Sequence, residues 1–116
     1  MKKLLASLVL LWLSVSSAMA NEVTPAIAKE LAPSGRLRAA INFGNPVLAQ
    51  KDAATGEPRG VSAELARELG RRLGISVEFV PFDGAGKVVD AVKADIWDVA
   101  FLAIDPLRAA DAPRTW

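Results

Sequence analysis

Few of the side chains that commonly carry chemistry are present in this sequence. Its 116 residues include no cysteine, no histidine and no tyrosine. Without cysteine the chain forms no disulfide, zinc–thiolate site or iron–sulfur cluster. Without histidine it lacks the Ser-His-Asp triad and imidazole metal ligands. Carboxylates, lysines, arginines, hydroxyls, amides and backbone groups remain, and they indicate neither a cofactor nor a metal site.

One glycine-rich segment has the outline of a phosphate-binding loop. The sequence from Asp83 to Lys87 reads DGAGK, but the full pattern needs a glycine where Pro81 stands and Ser or Thr where Val88 stands. A dinucleotide fingerprint fails in the same way, because Val89 replaces its last small residue. We therefore predict a glycine-rich turn that leads into a helix.

Three aspartates close together in sequence are a candidate metal-binding group. Asp90, Asp95 and Asp98 span a predicted helix end and a strand start. An octahedral site needs oxygens that converge on one point, and this ordinary spacing favours structural acids instead. Trp97, at the start of an apolar run, is interpreted as a core anchor. Lys plus Arg exceeds Asp plus Glu by only one, 14 against 13, which does not favour nucleic-acid binding.

The N-terminus has the three-part pattern of a secretory signal peptide. Lys2 and Lys3 precede a twelve-residue apolar run, and the small residues of 18–20 follow it. As a helix the run would rise about 18 Å, well short of a membrane's hydrocarbon core of about 30 Å. We expect cleavage after Ala20 and a periplasmic location. The predicted organisation is a signal peptide at 1–20, a helix and linker at 21–35, and a lobe at 36–116.

The remaining elements predict an α/β sheet with right-handed crossovers. Strands are predicted at 36–42, 47–50, 75–80 and 97–104, and helices at 25–32, 62–73 and 87–94, with a helical turn after Asp105. The last strand is nearly all apolar, which predicts burial on both faces. In the second helix four residues form one apolar stripe expected to face the sheet: Val61, Leu65, Leu69 and Leu73. Ser62 is the predicted N-cap and Gly74 the predicted C-terminal residue.

In this order, four segments resemble the extracellular solute-binding protein family 3, the periplasmic amino-acid-binding components of ABC transporters. They are LRAAINFGNPVLA (37–49), GVSAELAREL (60–69), VEFVP (77–81) and WDVAFLAIDPLRA (97–109). The resemblance covers nearly the whole chain after the signal peptide. It implies a type II periplasmic binding protein fold, in which two α/β lobes hold a solute in the cleft between them. The chain would form part of the first lobe.

The resemblance also implies a function and its partners. The chain is expected to bind an amino acid or a similar small polar solute and to deliver it to a membrane ABC permease, without being an enzyme. Two alternatives share the fold, a periplasmic dehydratase-like enzyme and a sensory domain. Residues 110–116 do not resemble the family's continuation, so we also expect a truncated fragment, whose single lobe would show no measurable amino-acid binding at micromolar levels, or a non-functional product.

Candidate ligand-binding residues come from the same resemblance. Arg108 matches the family arginine that clamps the ligand α-carboxylate, and a guanidinium suits this task because it donates two parallel hydrogen bonds. Ala103 stands where the family often has Ser or Thr, so only its backbone N–H is left to donate. Phe101 lies at the end of the ligand-lining strand, where its side chain either forms part of the cleft wall or belongs to the hydrophobic core. Three loop residues either face the cleft or only shape the chain reversal: Asn42, Asn45 and Val47.

Overall fold

The computed structural model describes residues 23–103 and 105–109, with the side chains of Arg108 and Ala109 excepted. The predicted signal peptide and residues 110–116 lie outside this description. The elements in chain order are α1 (Pro25–Leu31), β1 (Arg36–Asn42), β2 (Gln50–Lys51), β3 (Pro58–Arg59), α2 (Val61–Leu73), β4 (Ser76–Phe82), α3 (Ala85–Asp90), a 3-10 turn (Ala91–Ala94), β5 (Val99–Ala100) and α4 (Pro106–Ala109). In the described part of the chain, no helix is both long and apolar enough to cross a membrane.

A parallel sheet organises the fold, as the sequence predicts. Its described strands lie in the order β4-β1-β5. β1 pairs with β4 along its whole length, from Arg36 beside Ser76 to Asn42 beside Phe82. On its other side β1 pairs with β5 over two residues. The short strands β2 and β3 form a separate antiparallel hairpin.

The core lies around the central strand. Leu37, Ala39, Ala40 and Ile41 are all almost completely buried, because β1 has a neighbouring strand on each side and helices pack near it. Ile41 contacts Ala49 and Ala63, so the loop after β1 and the start of α2 share one cluster. The central strand therefore fixes where both the loop and the helix lie.

Helix α2 packs through a face other than the predicted one. Val61 and Leu65, in the predicted stripe, are 56% and 51% exposed, whereas small residues are buried instead: Ser62, Ala63, Ala66 and Gly70. A Cβ at Gly70 would collide with the Val77 side chain. At Gly70 the helix lies too close to β4 for any side chain. The buried face is therefore rotated from the predicted stripe, whose Val61 and Leu65 are exposed and whose Leu69 and Leu73 are half-buried.

The start of α2 is also set by a tertiary contact. The prediction that Ser62 is the N-cap is wrong, because the cap is Gly60 and Ser62 lies buried inside the helix. Gly60 has a φ of 105°, and a Cβ there would lie 2.8 Å from the Leu48 carbonyl oxygen. That same carbonyl accepts a hydrogen bond from the Ser62 N–H at 3.0 Å. At the other end, Gly74 is left-handed as predicted.

Two strands differ from their predicted bounds. β4 does not stop before Pro81 but continues through it to Phe82. The Phe82 carbonyl accepts from the Phe43 N–H at 2.8 Å, so by strand alternation the Pro81 nitrogen points away from β1 and its missing N–H costs no ladder bond. The predicted strand at 47–50 begins later, at Gln50, because Val47 and Leu48 belong to the preceding turn.

The C-terminal elements are shorter than predicted. The predicted strand at 97–104 is reduced to Val99–Ala100, and both residues are only half-buried, since among the described strands β5 has β1 as its one neighbour. Residue 104 lies outside the description. The predicted helix at 87–94 begins at Ala85 and tightens into the 3-10 turn after Asp90. Val88 is buried, but Ile96 is 42% exposed and does not share its face.

Candidate ligand-binding cleft

The carboxyl ends of the three parallel strands meet at one edge of the sheet. From β1 the chain passes through α2 to β4 on one side, and from β4 it passes through α3 to β5 on the other. The segments that leave neighbouring strands therefore diverge and open a crevice. In open parallel sheets this is where ligands bind.

A cavity of about 390 Å³ occupies this crevice. Four of the six predicted binding residues line it: Asn42, Asn45, Phe101 and Ala103. They come from the ends of β1 and β5, which are far apart in sequence and adjacent in the sheet. Asp83, from the end of β4, lines the same cavity and was not predicted as a site residue.

Asn42 and Asn45 shape the loop and line the cavity at the same time. The Oδ1 atom of Asn42 accepts from the Gly44 N–H at 2.9 Å, and that of Asn45 accepts from the Val47 N–H at 3.1 Å. Such bonds to the backbone two residues on are typical of Asx turns. Within the described residues neither Nδ2 group has a hydrogen-bond partner. Both amides therefore keep their donors for a ligand.

Val47 and Arg108 stand apart from these four residues. Val47 is 79% exposed and is not among the described residues that line the cavity, because the turn at Asn45 directs it outward. Arg108 lies in α4, which begins where predicted, with the Leu107 N–H donating to the Asp105 carboxylate at 2.9 Å. The Arg108 side chain lies outside the description, so its role stays a prediction.

A glycine allows the two loops above the sheet to approach each other. A Cβ at Gly44 would lie 2.5 Å from the Asp83 carbonyl oxygen and 3.0 Å from Asn42 Oδ1. The sequence shows Gly44 only as part of a turn, since its partner is 39 positions away. Only glycine fits here. Because Gly44 has no side chain, the β1 and β4 loops can lie this close together, and their separation sets the width of the crevice.

Asp83 is an ionised carboxylate at the mouth of the cavity. Lys87 Nζ lies 2.7 Å from Asp83 Oδ1. The hydrogen bond from Lys87, with its positive charge, lowers the pKa of Asp83 from its usual value. The side chain is 75% exposed. Its other oxygen remains accessible to a cationic group of a ligand.

A second cavity, of about 690 Å³, adjoins the first and shares Pro46 and Asp83 with it. We call it the lysine cavity. Its apolar wall includes Phe43, Pro81 and Phe82, and Lys51 and Lys87 also line it. The sequence analysis missed it, because its residues come from three segments that only the sheet brings together.

The segment that leads into β5 is held by an ion-pair network. Arg38 in β1 bonds to the carboxylates of Asp98 (2.8 Å) and Asp95 (3.2 Å), which confirms that these two acids are structural. Burial alone would raise the pKa of Asp98, but the hydrogen bonds from Arg38 outweigh it and lower that pKa. Among the described residues, no group of acids is arranged to hold a metal ion.

The chain has the fold of part of one lobe of the type II periplasmic binding protein architecture, and its cleft lies at the carboxyl ends of a parallel sheet, where such folds bind ligands. The predicted resemblance to solute-binding protein family 3 is confirmed by solved structures. They include amino-acid-binding proteins, and each superposes on 72% of this chain. No protein-family model matches the sequence, and no curated protein matches it either.

Three solved structures illustrate the similarity. An ancestral cyclohexadienyl dehydratase, AncCDT-3(P188L), matches with a TM-score of 0.62 and 26% identity over 34% of its own chain. An ancestral cationic amino acid solute binding protein, AncCDT-1, matches with a TM-score of 0.61 and 27% identity over 36% of its chain. The Phe57Trp mutant of the arginine-bound form of domain 1 from TmArgBP matches with a TM-score of 0.60 and 21% identity over 64% of its chain. This chain thus spans about a third of the length of the first two proteins.

Proposed function

We propose that this chain is the ligand-binding part of a periplasmic solute-binding protein for amino acids or similar small polar solutes. The observation that carries the proposal is the cavity at the carboxyl ends of β1, β4 and β5, lined by Asn42, Asn45, Phe101 and Ala103. In the complete transport system the solute would pass to a membrane ABC permease. The predicted signal peptide would direct the chain to the periplasm.

Each polar group of the cleft has a role in this proposal. The Arg108 guanidinium clamps the solute carboxylate through two parallel charge-assisted bonds. The free Nδ2 groups of Asn42 and Asn45 donate to the same solute, and the ionised carboxylate of Asp83 accepts from its ammonium group. Phe101 supplies apolar wall. The amino acid's two charged groups would thus meet opposite charges from Asp83, which follows β4, and from Arg108 in α4.

Binding can be tested on this chain alone. In the arginine-bound structure of domain 1 from TmArgBP, one domain holds a ligand in that protein. For this chain measurable binding is the proposal, whereas its sequence predicts none at micromolar levels, and the titration decides between the two. Affinity should be modest, because an ion pair open to water contributes only about 0–1 kcal/mol.

The test is a calorimetric or NMR titration of the purified chain with a panel of cationic, acidic, aromatic and small amino acids. We expect at least one to bind saturably and Arg108→Ala to weaken that binding. Arg108→Lys should recover only part, since an ammonium cannot form the planar fork. Arg72→Ala is the control, because Arg72 pairs with Glu68 on the exposed face of α2. Absence of saturable binding across the panel would contradict the proposal.

A second candidate function rests on the similarity to an ancestral cyclohexadienyl dehydratase. With no histidine in the chain, proton transfer would fall to a carboxylate such as Asp83. A hydroxylated cyclohexadiene becomes an aromatic ring when its hydroxyl leaves as water and a base removes a proton from the opposite ring carbon. Ultraviolet absorbance detects the aromatic product. Product formation that Asp83→Asn abolishes would favour the enzyme over the binding protein.

A further inference from the structure

The lysine cavity has the size and lining of a binding site in its own right. Its volume of about 690 Å³ lies within the range of small-molecule pockets, roughly 300–1,000 Å³. Phe43 and Phe82 are half-buried, and Phe43 packs against the core cluster around Ile41. The aromatic wall is therefore anchored to the sheet and does not depend on a ligand for its position.

The charges around the cavity are unbalanced. Lys51 and Lys87 line it together with one carboxylate, that of Asp83. Lys87 and Asp83 neutralise each other at 2.7 Å. Within the described residues, no carboxylate lies within ion-pair distance of Lys51. The cavity thus carries one uncompensated positive charge.

Lys51 is placed where a ligand's anionic group would meet it. Its Nζ lies 5.3 Å from the centroid of the Phe43 ring, at cation–π distance. A flat apolar group lying on the Phe43 and Phe82 side of the cavity would bring an attached anion close to this ammonium. An attached cation would instead meet the repulsion of Lys51, because Lys87 offsets the one negative charge in the cavity, that of Asp83, and leaves a net positive charge.

We propose that the lysine cavity binds an organic monoanion, a small aromatic or branched apolar group that carries one carboxylate. The aromatic wall of Phe43 and Phe82 holds the apolar body, and Lys51 pairs with the carboxylate. The site is separate from the amino-acid cleft and adjoins it at Pro46 and Asp83. A ligand in the lysine cavity would lie beside a solute bound in the cleft. The lysine cavity could bind its ligand whether or not the cleft binds an amino acid.

The experiment is an NMR titration of the isotope-labelled full chain with three probes. Phenylacetate has the ring and the carboxylate, phenethylamine has the ring with the opposite charge, and acetate has the carboxylate alone. We expect phenylacetate to bind saturably and to shift the amide signals of Phe43, Gln50 and Phe82. Acetate and phenethylamine should bind about tenfold more weakly or not at all, because each lacks one of the two contacts.

Two matched lysine variants complete the test. Lys51→Met keeps the length and apolar stem of the side chain, and should weaken phenylacetate binding about fivefold, the value of one solvent-accessible ion pair. Lys93→Met removes an exposed lysine of the 3-10 turn, which is not among the described residues that line the cavity, and should leave binding unchanged. Unaltered amide chemical shifts elsewhere would show that Lys51→Met still folds.

Three results would overturn the proposal. They are equal affinity for phenethylamine and phenylacetate, unchanged affinity in Lys51→Met, and phenylacetate shifts confined to the cleft residues Asn42 and Phe101. The last result would assign the probe to the amino-acid cleft. Binding of amino acids in the cleft without any phenylacetate binding would leave the proposed function intact and reject the lysine cavity alone.

Discussion

Arg38 and Asp98 lie 60 residues apart in sequence and are joined by four hydrogen bonds. The Asp98 carboxylate accepts from the Arg38 Nε, from its terminal nitrogen and from its backbone N–H, at 2.8–3.1 Å. In return the Asp98 N–H donates to the Arg38 carbonyl at 2.8 Å. The pair ties the central strand to the segment that enters β5. It thereby positions Phe101 and Ala103 at the cleft.

Removal of the Asp98 carboxylate should destabilise the fold. The side chain is only 6% exposed, and Asp98→Ala would leave the Arg38 guanidinium without its main partner. We expect the free energy of unfolding to fall by about 1.5–3 kcal/mol in urea titrations, with Asp98→Asn intermediate. The control is Asp95→Asn. Asp95 is 91% exposed and left-handed, a conformation that Asn tolerates, so its replacement should be almost neutral.

The free energy of unfolding should fall in acid and change little near neutral pH. The folded-state pKa of Asp98 is lowered, so its contribution is present above the pKa of the unfolded carboxylate and is lost as pH falls through the folded value. Arg71 and Arg72 likewise lower the pKa of Glu68 to about 2.

With no histidine, we expect little change in the free energy of unfolding between about pH 5 and 8 and a decline below about pH 4. Circular dichroism melts across this range measure it. The acid decline should be smaller in Asp98→Asn. A decline that begins near pH 6.5 would contradict this account.

Two glycines near the cleft should differ in their response to alanine. Gly44→Ala would place a Cβ 2.5 Å from the Asp83 carbonyl, so the β1 and β4 loops must separate. We expect about 1–3 kcal/mol of destabilisation and weaker solute binding. At Gly86, inside α3, a Cβ meets nothing within 4 Å, so Gly86→Ala should be neutral or stabilise by up to about 1 kcal/mol. Equal effects at the two positions would reject the close approach.

The packing face of α2 can be tested by a second matched pair. Gly70→Ala raises intrinsic helix propensity by about 1 kcal/mol, yet the collision with Val77 should make the net effect destabilising by about 1–3 kcal/mol. Leu65→Ala truncates a side chain that is 51% exposed and should cost within about 0.5 kcal/mol. The reverse ranking in chemical denaturation would restore the leucine stripe as the buried face.

Export is tested by the mass of the secreted product. When the full chain is expressed in a bacterium, we expect a periplasmic protein that begins at Asn21, because residues 1–20 have the pattern of a cleaved signal peptide. Intact-mass spectrometry of the periplasmic extract measures this. Replacement of Ala18 and Ala20 by bulky residues should block cleavage. A full-length mass in the membrane fraction of the unaltered protein would contradict the prediction.

Local signals were sufficient for elements whose causes lie within a few residues. Helix α1 begins at Pro25 as predicted, β1 has its predicted bounds, and Gly74 ends α2. Caps, turn residues and short apolar runs act through neighbours in sequence, so a single chain segment contains the information. The family resemblance added the cleft residues Asn42, Asn45, Phe101 and Ala103, which the sheet brings together.

The order of elements, the α/β class and the edge of the sheet where binding residues gather can therefore be read from the amino-acid sequence. The buried face of α2 depends on packing, because the helix approaches β4 so closely at Gly70 that no side chain fits there. The tertiary structure also decides that Pro81 stays in a strand, since its nitrogen faces away from β1. The Arg38–Asp98 pair and the lysine cavity depend on contacts between distant segments, and hydrophobic periodicity carries no information about such contacts.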